Sequence, residues 1–166
     1  MTHPNYTGFH RISRHDRLLQ ERKHDPYRAQ HKLPEPTVCP DCGALFHEGR
    51  WQWGQAPAGA HQETCSACQR IKDDFPAGFI TLSGEFFTAH REEIMRVVQN
   101  VEKRERGEHP FNRVMAIEEK DDGTLVTTTD IHLARGIGEA INDAYQGELE
   151  FHYNPAEYLL RVHWTR

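Results

Sequence analysis

Four cysteines, and no others, occur in this chain as two short pairs, Cys39-Pro40-Asp41-Cys42 and Cys65-Ser66-Ala67-Cys68, with 22 residues between them from Gly43 to Thr64. A Cys-x-x-Cys pair folds into a tight turn that points both sulfurs at one centre. Two such turns supply four thiolates at the corners of a tetrahedron, the geometry that structural zinc takes. The spacing predicts a zinc ribbon holding one structural Zn2+ on Cys39, Cys42, Cys65 and Cys68. Four protein ligands leave no open coordination position, so the expected site is structural and not catalytic.

Other uses of the cysteines fit less well. Two disulfides need an oxidising compartment, and the start Met1-Thr2-His3-Pro4-Asn5-Tyr6 has no apolar segment of the kind a secretory signal carries. A thioredoxin-type centre needs one pair opening a helix after a buried strand. Here Gly43 follows Cys42 and polar Gln69-Arg70 follows Cys68, which suits turns better. His47 and His61 lie between the pairs, and either could replace a cysteine as ligand; as ordinary polar loop residues they need no metal.

A ribbon of this length cannot bury a core without its metal, so the 166 residues are expected to hold a metal-stapled module plus one further domain. Mean hydropathy is −0.80, and no apolar run approaches the roughly 20 residues that cross a bilayer. Together with reduced thiols this implies a soluble, cytoplasmic protein with no membrane partner. Charge is unevenly spread. Residues 1–37 carry seven Lys/Arg against four acids, a net +3, leaving −8 on the remainder of a chain whose total is −5. Five of the twelve histidines also lie in that arm. A basic, His-rich arm on an acidic body is suited to reaching into a polyanion, and is otherwise a solubilising tail that stays flexible unless bound.

Three segments are therefore expected: the arm over 1–37, the ribbon over 38–76 and an α/β domain over 77–166. A patch from Ile12 to Leu19 has the spacing for two helical turns, and the prolines of Lys32-Leu33-Pro34-Glu35-Pro36-Thr37 make an extended linker. Arg50-Trp51-Gln52-Trp53 alternates as a hairpin strand. Beyond Gly78 the periodicity predicts a strand at 79–83, a helix from about Thr88 to Arg106 stopped by His109-Pro110, and strands at 113–119 and 124–129 joined by a turn at Asp121-Asp122-Gly123. A second helix, capped by Asp130 and ended by Gly147, then precedes strands at 148–153 and 158–164. This order predicts an α+β fold, a ferredoxin-like split βαβ domain with an antiparallel sheet, two helices on one face and the other face free.

Catalytic signals are missing. Gly136-Ile137-Gly138 falls inside a helix instead of joining strand to helix, so it is no phosphate loop; close helix–sheet approach explains it better. The threonines of Thr127-Thr128-Thr129-Asp130 suit a strand, and Asp130 suits a cap. No Ser or Cys sits at a nucleophile elbow, and no enzyme or small-molecule substrate is expected. Nucleic-acid contact has better candidates. They are Arg11, Arg14, Arg17, Arg22, Lys23 and Arg28 on the arm, Arg50, Trp51, Trp53 and Arg70 on the ribbon, and Arg161 and His163 on the last strand. A ribbon is too thin to bury two tryptophans, so Trp51 and Trp53 are expected to meet either unpaired bases or the neighbouring domain.

The stretches Thr128-Thr129-Asp130-Ile131-His132-Leu133-Ala134-Arg135 and Leu160-Arg161-Val162-His163-Trp164, following a Cys-x-x-Cys zinc module, resemble part of the nuclear export adaptors of the large ribosomal subunit, a nonsense-mediated-decay-protein-like family. The chain looks like a short bacterial relative over residues 38–166. The resemblance implies Cys39, Cys42, Cys65 and Cys68 as metal ligands and the large subunit or its rRNA as partner. The family carries further Cys-x-x-Cys pairs and export domains that this chain lacks, so export is not implied. The expected function is a non-enzymatic, ribosome-associated zinc protein acting in assembly, stress or hibernation. The alternative is a zinc-ribbon protein–protein adaptor in a stress or regulatory complex without RNA.

Overall fold

The computed structural model describes residues 8–13, 25–29 and 31–166. Strand β1 (His10–Ile12) comes first. The ribbon follows as a four-stranded sheet of β2 (Thr37–Val38), β3 (Leu45–His47), β4 (Arg50–Gln52) and β5 (His61–Gln62), in the order β4-β3-β2-β5. It closes on helix α1 (Ser66–Lys72). The body contains β6 (Gly78–Ser83), a short α2 (Glu85–Ala89), α3 (Arg91–Glu108), β7 (Val114–Lys120), β8 (Gly123–Thr128), α4 (Ile131–Tyr145), β9 (Glu148–Asn154) and β10 (Leu159–Thr165).

Local chemistry sets these boundaries. His109 is extended ahead of Pro110, whose ring disfavours a helical residue before it, and α3 ends there. The Asp130 carboxylate accepts from the Leu133 amide at 3.0 Å and caps α4. Gln146 and Gly147, both at positive φ, turn the chain out of α4 into β9. The single expected helix over 88–106 is instead two, because His90 leaves the helical path between α2 and α3.

The body sheet runs β1-β9-β10-β6-β8-β7, which corrects the ferredoxin-like, all-antiparallel expectation. β9 has the antiparallel sense relative to β6 that such a fold asks of its fourth strand, but β10 is inserted between them and runs parallel to β6. Burial explains the insertion. Leu160, Val162 and Trp164 of β10 are wholly buried, whereas β9 alternates Glu148, Glu150 and His152 with its apolar residues. The more apolar strand takes the interior place and β9 lies further out, paired on its far side with β1.

Helices α3 and α4 pack together, and their buried stripes (Ile94, Val98 and Val101; Ile137 and Ile141) meet Ile80, Leu82, Val126, Phe151, Val162 and Trp164 in one core. Each such side chain contributes about 1.5–3 kcal/mol by leaving water. The Trp164 indole N–H donates to the Gln146 carbonyl at 3.0 Å, so the largest core residue buries no unpaired donor. The ribbon has nothing comparable: its buried cluster is Cys39, Ala44, Cys65, Ala67 and Cys68, flanked by half-buried Trp51 and Phe111.

The two glycines of α4 are not equivalent. A Cβ on Gly138 would lie 2.6 Å from Val162 Cγ1 and 3.2 Å from Leu149 Cδ1, so its bare backbone lets the helix approach β9 and β10; a Cβ on Gly136 meets nothing within 4 Å. Gly136→Ala should therefore raise stability by about 1 kcal/mol, the helix-propensity gain. Gly138→Ala should lower it by about 1–3 kcal/mol through overpacking. Urea denaturation of the two variants reads both signs, and equal effects would remove the close-approach account.

Candidate metal centre

The first cysteine pair forms a hydrogen-bonded turn. The Gly43 amide donates to the Cys39 carbonyl at 2.9 Å, and the Cys39 amide to the Ala44 carbonyl at 2.8 Å. Gly43 sits at φ 80°, a left-handed conformation open to a residue without Cβ. The second pair departs from the expected turn: Cys65 caps α1 and Cys68 lies in its first turn, so this pair does open a helix. The two arrangements nevertheless converge. All four Sγ atoms lie within 4.8 Å of one another, and Cys39, Cys65 and Cys68 are buried. The Cys42 and Cys65 sulfurs are 3.8 Å apart. A tetrahedron with Zn–S bonds of about 2.3 Å has edges of about 3.8 Å, so the spacing suits a thiophilic metal ion of that size. None of the four cysteines is in a disulfide.

Backbone amides already point at the sulfurs. The Cys65 amide donates to Cys39 Sγ at 3.3 Å, the Cys68 amide to Cys65 Sγ at 3.4 Å and the Ala44 amide to Cys42 Sγ at 3.5 Å. Burial pushes the Cys39 thiol up, but the amides of Cys65, Cys42 and Asp41 outweigh it and bring the group down to about 7. Burial pushes the Cys65 thiol up, and the neighbouring sulfurs reinforce that direction. Four thiolates this close repel one another, and a divalent cation among them removes the conflict while displacing protons.

The strongest contact comes from outside the ribbon. Arg113, at the entry to β7 and 5% exposed, donates from Nη1 to Cys68 Sγ at 3.1 Å and from Nη2 to Cys42 Sγ at 3.0 Å. Its Nε donates to the Pro110 carbonyl at 2.8 Å, which fixes the plane of the fork. A metal dication with four thiolates carries a net −2 in a largely dry site, and the guanidinium offsets half of it. The thiolate contacts raise the Arg113 pKa against the opposing effect of burial. Nothing in the His109-Pro110-Phe111-Asn112-Arg113 run marks this role; it depends on a contact across 45 residues to Cys68 and 71 to Cys42.

Two tryptophans complete the joint. Trp51 lies between Phe46 and Phe111, with ring centroids 5.6 and 5.5 Å away, and Trp53 donates its indole N–H to the Arg106 carbonyl near the end of α3 at 2.6 Å. Both therefore meet the body. Arg70, expected as a nucleic-acid contact, is corrected by its placement. It is wholly buried, donating to Asp25 Oδ1 at 2.7 Å and the Phe75 carbonyl at 3.0 Å, with the Tyr27 ring 4.5 Å from its guanidinium carbon. It ties residues 25–29 to the ribbon. This stretch and β1 are thus parts of the expected arm with defined contacts, and Ile12 lies in a strand instead of a helical turn, while residues 14–19 of that patch lie outside the described residues.

The remaining candidates fall into two groups. By strand register, Arg11, Arg161 and His163 share the sheet face turned away from the helices. There Arg11 lies 3.4 Å from Glu150, the Phe9 ring covers Arg161 at 4.4 Å, and loss of water, then the neighbouring His152, lowers the pKa of His163. Arg28, Arg50 and Trp51 meet instead at a cleft between arm, ribbon and body. Arg14, Arg17, Arg22 and Lys23 lie outside the described residues. His47 and His61 pair with Glu48 and Glu63 at 3.8 and 3.6 Å, and neither joins the sulfur cluster. Among the described residues no helix is long and apolar enough to cross a membrane. Compared with known proteins, the chain matches no family model, no curated protein and no solved structure.

Outer contacts to a metal's ligands typically change affinity by about 10–100-fold. Arg113→Met should weaken metal retention by that order, and Arg113→Lys should restore only part, since an ammonium cannot bridge two sulfurs as the fork does. Competition against a chromophoric chelator measures both. Retention should also fall as pH falls, because protons and metal compete for the same sulfurs.

Proposed function

We propose that this protein is a non-enzymatic, zinc-stabilised factor that binds RNA and docks on the large ribosomal subunit. The observation that carries the reading is a closed four-cysteine centre, joined to the body through Arg113, beside a cleft where arm and ribbon cations without an ion-pair partner among the described residues lie next to aromatic rings. Zinc is the metal that four thiolates in a tetrahedral set favour for a purely structural role. With every cysteine committed to the metal, none is left as a nucleophile, which supports a binding rather than a catalytic role. Reduced, metal-bound thiols also suit the cytoplasm. The basic arm and the resemblance to large-subunit export adaptors point the reading toward rRNA.

Phosphate-dominated binding weakens steeply as salt rises. Sedimentation of the tagged protein from lysate through a sucrose gradient, at low and high salt and with or without ribonuclease, tests the reading. The expected result is migration with the large subunit or whole ribosomes, lost at high salt and after ribonuclease. A ribonuclease-resistant complex would replace it with the protein-adaptor function.

A further inference from the structure

A cleft of about 460 Å3 opens where arm, ribbon and body meet, and we infer that it is a binding site for a single unpaired nucleotide. The inference rests on the RNA-binding reading and names the part of the molecule that would hold a base.

Three features of the cleft converge on that ligand. Its walls include the aromatic rings of Tyr27, Trp51, Phe111 and Tyr158, one or more from each of the three segments. Trp51 is held in place by Phe46 and Phe111, so its ring is a preformed part of the wall. Flat π-faces stack on any base and are the usual platform for single strands. The volume is that of a small-molecule site, which admits one nucleotide and no duplex.

The charge on the walls is the third feature. Every acid there is engaged: Asp25 with Arg70 at 2.7 Å, Glu63 with His31 and His61 at 3.6 Å each, and Asp130 as the cap of α4. Arg28, Lys32 and Arg50 also line the cleft, all exposed, and none has an ion-pair partner among the described residues. Aromatic walls with three cations free of ion pairs among the described residues complement a ligand that is aromatic and anionic at once. A nucleotide is such a ligand, whether free or as one unit of a single strand.

The test compares wild type with Arg28→Glu/Lys32→Glu/Arg50→Glu, whose exposed positions leave the packing untouched; circular dichroism and metal content check the fold. Probes are a short oligouridine RNA, the same length of oligoadenosine RNA, an RNA duplex and AMP, read by tryptophan fluorescence quenching and anisotropy. Wild type should bind the single strands with quenching and the duplex more weakly. The triple variant should lose about tenfold or more in affinity, with a salt slope shallower by about two. AMP binding as tight as the oligonucleotides would support the cleft with a free nucleotide as its source. A triple variant that binds RNA and migrates with ribosomes as wild type does would overturn the cleft and leave the RNA-binding reading standing. Wild type that binds no probe and does not migrate with ribosomes would end both.

Discussion

Arg113 is the joint of this molecule. One guanidinium reaches two sulfurs of the ribbon while its own Nε is tied to the Pro110 carbonyl in the body. The ribbon's buried cluster is three cysteines with Ala44 and Ala67, so hydrophobic burial alone gives it little stability. A metal on the four sulfurs would set its shape, and the charge of that metal–thiolate cluster would hold it to Arg113 on the body. Trp51 against Phe111 and Trp53 on the end of α3 add apolar and hydrogen-bonded contact around the same joint.

The parts of this architecture that follow from local chemistry were readable in advance. Spacing pointed to the sulfur cluster, Asp130 to its cap, His109-Pro110 to the end of α3, and strict alternation to the inward residues Phe151 and Tyr153 of β9. What escaped depends on competition between distant segments. Alternation shows which face of β9 and β10 is apolar, but not which strand sits next to β6; that was decided by Leu160, Val162 and Trp164 being buried together.

Charge misled in a related way. Arg70 reads as one more surface cation in a polar run, yet Asp25, Tyr27 and Phe75 enclose it. A buried guanidinium is tolerable only with partners, and here the carboxylate lies 45 residues away in a segment whose composition suggested a tail. Arg113 escaped for the same reason. Among the described arginines, the two with the deepest burial are the two whose roles need a partner from another segment, and no single-segment pattern can show that.

These buried ion pairs also explain how an acidic chain can present a basic spot. Net charge is −5, but a field at a surface depends on which charges are left unpaired there. Arg70 neutralises Asp25, the histidines face Glu63, and Asp130 is turned to the α4 amides, so the acids around the cleft are already engaged. Arg28, Lys32 and Arg50 remain. Cys65 stands in the wall of the same cleft, which places the metal centre directly behind the surface those cations and rings define. Loss of the metal would loosen the wall and the body contact together, because the same sulfurs that build the ribbon are the ones Arg113 holds.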